Sequence, residues 1–252
     1  MTEAGFLSQV VEWFTDPMQW SGSRGIPVRL LEHVITSSVS VVIAAAVALP
    51  VAMYIGHRRR FELFVVSVAN VGRAVPSFGL IVLFLILFGL WLRWPAPLRP
   101  PIVLAMVLLA IPPILTNAYV GIQGVDPDTV EAARGTGMTE GQVLRQIELP
   151  LAAPLIVAGL RTAAVQVVAT ATLAAIGPGG GLGRFIFDGF ATRDLAEVFG
   201  GAVLVALLAI VVELAFGVLE RLVTPRTASR AAVPLPGREA GIPPRAEVGP
   251  AA

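Results

Sequence analysis

The chain has 252 residues, of which 56% are hydrophobic and 14% are charged, and its mean hydropathy is +0.80. Soluble domains carry roughly 25% charged residues, so this balance excludes an ordinary soluble domain and indicates a bilayer as the solvent. The lack of cysteine excludes a thiolate metal site and a thiol nucleophile. The two histidines are too few and too far apart in the sequence for a metal site. We expect no cofactor and no nucleic-acid partner.

Residues 1–29 are predicted to form a segment on the outer surface of the membrane. The stretch FLSQVVEWF has the pattern of a short amphipathic helix, with Trp13 and Trp20 as interfacial anchors. It lacks the basic start and the small-residue cleavage site of a signal peptide.

Five apolar segments approach the length of about 20 residues that a helix needs to cross a bilayer. Because backbone groups in hydrocarbon must be hydrogen-bonded internally, each segment is predicted to be a helix. The expected fold class is therefore an all-α membrane protein, with five core transmembrane helices within residues 30–223. The spans are predicted at about residues 31–55, 75–92, 101–120, 153–176 and 196–222.

The segment at residues 61–77 is ambiguous, because it is apolar but is interrupted by Asn70, Arg73 and Pro76. It could be a sixth crossing, or a helix packed against the other spans near the cytoplasmic side. We favour the second interpretation, which leaves five crossings.

Arginines in short loops predict the orientation, since basic residues concentrate on the cytoplasmic side. The sequence HRRR at residues 57–60 ends the first span and is placed in the cytoplasm. Five crossings then put the N-terminus outside, and the loop at residues 121–150 and the C-terminus inside. Residues 224–252 are rich in proline, alanine and glycine, with little aliphatic material to bury, and are predicted to be disordered.

The inner loop has the pattern of two helices joined by a turn. Asp126 is placed to cap the first helix, and the sequence GTG breaks it, since glycine disfavours helix and readily takes positive φ. Thr139 and Gln142 have the spacing of a capping box at the start of the second helix. That helix carries an apolar stripe of Val143, Leu144 and Ile147, and Leu149-Pro150 is predicted to end it.

The loop contains EAA, three residues, Gly, nine residues, Ile, one residue and then Leu-Pro. This spacing resembles the EAA loop of the permeases of binding-protein-dependent ABC importers. The resemblance implies a type I importer permease in the bacterial cytoplasmic membrane. It implies as partners a second permease subunit, two ATPase subunits that hydrolyse the ATP, and an extracytoplasmic binding protein; the chain itself would not be an enzyme. The residues implied in ATPase coupling are Glu131, Ala132, Ala133, Gly137, Ile147, Leu149 and Pro150.

Other segments resemble one branch of that family. The stretch NVGRAVPSFGL at residues 70–80 is similar to a core span of methionine and betaine-type permeases. The segment at residues 158–190 resembles glycine betaine/carnitine/choline permeases, although Pro178 replaces the small residue usual in that branch. The resemblance implies a quaternary-ammonium osmoprotectant as substrate, with methionine or another small solute as the alternative.

Several residues within or beside the spans could line a substrate path or act as a gate. The polar residues could equally form interhelical hydrogen bonds, worth about 0.6 kcal/mol each. For Arg161 we favour snorkelling near the cytoplasmic start of its helix, and for Glu213 a pairing with Arg73 or Arg161. The glycines of residues 177–183 indicate a flexible, closely packed outer turn rather than a nucleotide loop. The candidates for the path or gate are Ser77, Asn117, Arg161, Gln166, Thr170, Gly177, Gly183 and Glu213.

A self-contained secondary transporter or channel is the rival class. It would need ionisable residues for ion coupling within the membrane, or an internal repeat. The spans offer only Arg161 and Glu213 as candidates, and no repeat is seen.

Overall fold

The computed structural model describes residues 3–88, 98–176 and 180–224, and every regular element in those ranges is helical. This confirms the all-α fold class. In chain order the helices are α1 (Glu3–Thr15), α2 (Pro17–Trp20), α3 (Ile26–Arg58), α4 (Glu62–Ala74), α5 (Ser77–Phe88), α6 (Pro100–Gln123), α7 (Pro127–Gly135), α8 (Glu140–Gln142), α9 (Leu149–Ala171), α10 (Gly183–Thr192) and α11 (Leu195–Val223). A π-helical turn (Val143–Glu148) joins α8 to α9, and a 3₁₀ turn (Leu173–Ile176) follows α9.

Within the described residues, four helices are long and apolar enough to cross a membrane: α3, α6, the continuous helix Glu140–Ile176, and α11. A fifth span is available if α4 and α5 count as one, since Glu62–Gly72 and Ser77–Phe88 meet at a bend of 86°. The described residues therefore agree with five crossings and give the segment at residues 61–77 no separate crossing of its own.

The bend between α4 and α5 lies at Pro76. Proline disfavours helical backbone at the preceding residue, and Val75 is accordingly extended, with φ −75° and ψ 121°. The interpretation of α4 as a helix packed against other spans holds for one face only. Val65 and Ala69 are buried, whereas Leu63 is 83% exposed. The last residues of the second predicted span, 89–92, lie outside the described residues.

Helix α6 is the centre of the bundle, packed between α3 and α9. Small residues allow these helices to approach closely, as is common in membranes. A Cβ added at Gly159 of α9 would lie 2.7 Å from Cβ of Asn117 in α6, and one at Gly56 of α3 would lie 3.0 Å from Cβ of Ile122. The core consists mainly of alanine, valine and isoleucine, for example Ala48, Ala52, Met106, Ala110, Ile114, Ala163 and Val167.

The N-terminal helix α1 packs on α11 at the end of the bundle where α10 lies. Trp13 is buried against Gly200 and forms an edge-to-face pair with Phe185 of α10, 5.4 Å between ring centroids. The prediction of an amphipathic helix is confirmed, but Trp13 anchors it to protein rather than to the membrane surface. Only Trp20 is exposed as an interfacial anchor would be.

Helix α11 lies at the periphery, with most of its large apolar side chains exposed, including Leu207, Ile210, Val211 and Leu214. Its polar contact with the bundle is Arg161 of α9, whose Nε lies 3.6 Å from Glu213 Oε1 and whose Nη1 lies 3.1 Å from Glu220 Oε2. Arg161 is near the middle of α9 and bound to two carboxylates, so the snorkelling interpretation is replaced by an ion pair. The predicted pairing of Glu213 is made with Arg161.

Candidate functional site

The inner loop folds into an ordered elbow, defined here as residues 125–150. The side chain of Asp126 accepts a hydrogen bond from the N–H of Asp128 and caps α7. The chain turns at Gly137, which has a φ of +87°. Residues with a side chain seldom adopt this conformation. Thr139 and Gln142 form the predicted capping box, with Thr139 N donating to Gln142 Oε1 at 2.8 Å. These local predictions are confirmed.

The elbow has a small apolar core of its own. Val130 and Ala133 of α7 pack on Val143, which is fully buried, and Met138 and Ile147 complete the cluster together with Val125. Two of the three residues of the predicted stripe, Val143 and Ile147, therefore pack against α7. An isolated loop could not bury this cluster, so the elbow is a folded unit.

The helix after the capping box does not end at Leu149-Pro150, contrary to the sequence prediction. It continues through the π-helical turn Val143–Glu148 into α9, with Pro150 in the first turn of α9. Proline lacks the N–H for a regular helical bond, and the wider π turn accommodates that missing donor. The elbow is thereby continuous with a transmembrane helix.

A polar network that the sequence did not predict ties the elbow to the end of α3. His57 Nδ1 lies 2.6 Å from Oε2 of Glu148, a buried residue, and His57 Nε2 lies 3.0 Å from Glu140 Oε2. Glu140 in turn accepts two hydrogen bonds from Arg134, which raise the pKa of that guanidinium. Arg59 donates to the carbonyl oxygen of Val125 at 3.0 Å. His57 thus contacts two carboxylates of the second half of the elbow, and Glu140 extends the network to Arg134 of α7.

The residues implied in coupling occupy different positions on the elbow. Glu131 and Ala132 are exposed on α7, whereas Ala133 is buried in the elbow core. Ile147 packs against that core, Leu149 is half-buried and Pro150 is exposed. Only the first two residues of the EAA triplet therefore offer a free surface.

A central cavity of about 430 Å³ lies between α4, α5, α6 and α9. It brings together three of the predicted path residues, Ser77, Asn117 and Gln166, from three different helices. Asn117 Nδ2 donates to the carbonyl oxygen of Pro113. The other described lining residues are Ala69, Gly72, Val75, Leu109, Pro112, Pro113, Thr116 and Thr162, so the described lining is neutral and has no aromatic ring. Sequence reasoning missed the lining hydroxyls of Thr116 and Thr162, which are adjacent in sequence to the predicted candidates Asn117 and Arg161.

The remaining predicted path residues lie elsewhere. Thr170 donates to the carbonyl oxygen of Gln166 within α9, and Arg161 and Glu213 form the peripheral ion pair. Gly183 starts α10, where an added Cβ would lie 2.2 Å from the carbonyl oxygen of Thr172. Gly177 lies outside the described residues.

The outer turn before α10 is attached to the start of α3. Gly181 N donates to Glu32 Oε2 at 2.9 Å and Leu182 N donates to His33 Nδ1 at 3.3 Å. Since His33 Nδ1 accepts, Nε2 carries the proton that is donated to the carbonyl oxygen of Val168 at 3.0 Å. Close packing is as predicted, but this part of the turn is pinned rather than free.

A bundle of apolar spans, a polar cavity between them and an ordered elbow beside them define a multi-pass membrane protein of the transport class. Residues 40–229 match the family described as binding-protein-dependent transport system inner membrane component, and the chain belongs to that family. The resemblance drawn from the EAA spacing and the location in the inner membrane are thereby confirmed.

Named relatives share about a third of the sequence. The chain is 35% identical to the choline transport system permease protein of Bacillus subtilis (strain 168), over 78% of this chain and 88% of the relative. It is 35% identical to the glycine betaine/carnitine/choline transport system permease protein of the same organism, over 77% and 87%. The osmoprotectant import permease protein of Salmonella typhimurium is 31% identical, over 77% and 90%.

Solved structures show the same fold. The MetNI methionine ABC transporter in an inward-facing conformation superposes with a TM-score of 0.69 at 20% identity, covering 84% of this chain and 100% of that chain. An amino acid ABC transporter solved with histidines gives a TM-score of 0.55, also at 20% identity, covering 87% and 94%. These likenesses confirm the type I importer permease fold.

Proposed function

We propose that the chain is the permease subunit of an ATP-driven importer for a quaternary-ammonium osmoprotectant such as glycine betaine, choline or carnitine. The observation that carries the proposal is the 35% identity, over more than three quarters of the chain, to permeases named for these substrates. Methionine is a weaker candidate, because the likeness to the methionine transporter is at 20% identity and concerns the fold.

The elbow is the proposed docking surface for a cytoplasmic ATPase. Glu131 and Ala132 present an exposed patch on α7, and the buried side of the same helix packs on the elbow core. The π turn into α9 and the histidine bridge to α3 connect this patch to two spans. When two ATPase subunits close on ATP, the elbows move with them and the spans switch between inward- and outward-facing states.

The central cavity is the proposed passage. Its hydroxyl and amide groups suit the carboxylate of glycine betaine or carnitine and the hydroxyl of choline. Its described lining lacks the aromatic rings that usually hold quaternary ammonium groups. A path without an aromatic cage releases its cargo readily, so selectivity is assigned to the binding protein that delivers the substrate. A second permease subunit, identical or related, would complete the passage.

The substrate proposal is tested by uptake. The chain is expressed with its partner subunits in a strain lacking other osmoprotectant and methionine transporters, and labelled glycine betaine, choline, carnitine and methionine are supplied. ATP-dependent uptake of at least one of the first three is expected. Uptake of methionine alone would overturn the substrate and keep the permease class.

The docking proposal is tested by co-purification of the ATPase partner from membranes. Glu131→Lys is expected to reduce both association and uptake, because it reverses the charge on the exposed patch. Glu12→Lys is the matched control, since it makes the same charge change on the exposed face of α1. Normal association and uptake of the Glu131 variant would refute the docking surface.

A further inference from the structure

A second cavity, of about 530 Å³, lies where α3 ends and α4 begins, beside the elbow. We call it the basic cavity. Three arginines from two parts of the chain contribute to its wall, against one carboxylate, that of Glu140. Its lining residues are Tyr54, His57, Arg58, Arg60, Phe61, Arg134 and Glu140.

Within the part of the chain that the structure describes, the charges of the basic cavity are not balanced by ion pairs. Glu140 is already engaged by Arg134 and His57. Among the described residues, Arg58 and Arg60 form no ion pair. The guanidinium of Arg58 lies over the ring of Tyr54, 5.9 Å from its centroid. Two cations therefore face the cavity without an acidic partner.

An apolar groove of about 440 Å³ adjoins the basic cavity and shares Tyr54 and Phe61 with it. It runs between the last turns of α3 and the first turn of α4, and almost none of its lining surface is polar. Its lining residues are Pro50, Val51, Tyr54, Ile55, Phe61 and Phe64. The shared residues make the two spaces one continuous site with a charged end and an apolar end.

The backbone between α3 and α4 creates this arrangement. Arg59 and Phe61 both adopt left-handed conformations, with φ of 49° and 64°, which residues other than glycine seldom do. The turn leaves the ring of Phe61 63% exposed at the boundary between the basic cavity and the groove. Such conformations persist only where the surroundings favour them and often mark functional positions.

We propose that this site binds one anionic phospholipid of the cytoplasmic leaflet, with its headgroup phosphate at Arg58 and Arg60 and one acyl chain in the apolar groove. Uncompensated arginines beside a span attract the anionic lipids of that leaflet, and Tyr54 and Phe61 lie where aromatic side chains meet the membrane interface. A soluble anion would use the basic cavity but leave the groove empty. Since Arg134 and Glu140 line the same cavity, a bound lipid touches the elbow.

The proposal is tested by native mass spectrometry of the full chain, released from nanodiscs that contain phosphatidylglycerol and phosphatidylcholine with identical acyl chains. The chain is expected to retain phosphatidylglycerol selectively. Arg58→Gln/Arg60→Gln is expected to reduce that preference roughly 30-fold, because each arginine contributes a factor of about five. Arg58→Lys/Arg60→Lys keeps both charges and is expected to retain most of the preference. Arg221→Gln is the matched control, an exposed arginine at the end of α11, and should leave the preference unchanged.

The apolar end is tested separately with Val51→Trp, which fills the groove without changing charge. It is expected to reduce retention of phosphatidylglycerol while leaving any binding of inorganic phosphate unchanged. Equal retention of both lipids by the unmodified chain would overturn the proposal. Inorganic phosphate that competes fully with the lipid, with no effect of Val51→Trp, would assign the cavity to a soluble anion instead. These readouts need no transport, so they are independent of the proposed substrate.

Discussion

At the scale of single residues, His57 carries the contact between the elbow and α3. We expect His57→Leu to lower the free energy of unfolding by about 3–5 kcal/mol, because it leaves the buried carboxylate of Glu148 without its partner. The double variant His57→Leu/Glu148→Leu should recover most of this loss, since both polar groups are then removed. Unfolding of the purified single and double variants measures the coupling; strictly additive losses would show that the two residues do not interact.

Gly137 offers a second test at this scale, because the effect of its backbone conformation can be separated from the effect of steric contacts. Neither Gly137 nor Gly135 has an atom within 4 Å of an added Cβ, but only Gly137 has positive φ. Gly137→Ala should therefore destabilise the elbow by about 1–2 kcal/mol, whereas Gly135→Ala should be neutral or slightly stabilising. Hydrogen exchange of the elbow amides reports the difference, and equal exchange in the two variants would contradict the turn assignment.

At the scale of helices, the features that could be predicted from the sequence are those that depend on residues close together in the chain. The caps at Asp126 and Thr139 act over two or three residues, so their spacing is visible in the sequence. The bridge between His57 and Glu148 joins residues 91 positions apart, and no local pattern shows that an end-of-helix histidine will meet a particular glutamate. The π turn was missed because Leu-Pro usually ends a helix, and only the helix as a whole shows that it continues.

The contact between α6 and α9 gives a prediction for this scale. Gly159→Ala would place a Cβ 2.7 Å from Cβ of Asn117 and 3.0 Å from the carbonyl oxygen of Pro113, so the two helices must separate. We expect a loss of about 1–3 kcal/mol from this overpacking. Gly217→Ala in α11 is the control, because nothing lies within 4 Å of its added Cβ. Thermal unfolding of both variants in the same detergent tests the helix contact, which would be refuted if they unfolded alike.

At the scale of the whole molecule, the central cavity shows which features of a substrate path can be predicted from the sequence. Polar residues in apolar spans were the predicted candidates, and three of them, Ser77, Asn117 and Gln166, meet at one cavity. Thr170 and Glu213 belong to the same class of residue but face other partners. The rotation of each helix about its axis decides which polar group faces the cavity, and that rotation follows from packing between helices.

The passage itself is tested with Gln166→Leu. Loss of one hydrogen-bonding group from the neutral wall is expected to reduce substrate uptake roughly 3- to 10-fold, equivalent to about 0.5–1.5 kcal/mol. Gln9→Leu makes the same substitution on an exposed position of α1 and should not change uptake. Transport rates are compared at equal amounts of chain in the membrane. Unchanged uptake by the Gln166 variant would remove this cavity from the path.

The ion pair of Arg161 fixes the position of α9 relative to α11. Its two partners, Glu213 and Glu220, are seven residues apart on α11, about 10.5 Å along the helix axis. A guanidinium that spans both carboxylates locks the register of α9 against α11, since sliding by one turn of 5.4 Å would break the arrangement. We therefore expect α9 and α11 to travel as one rigid body when the bundle changes conformation.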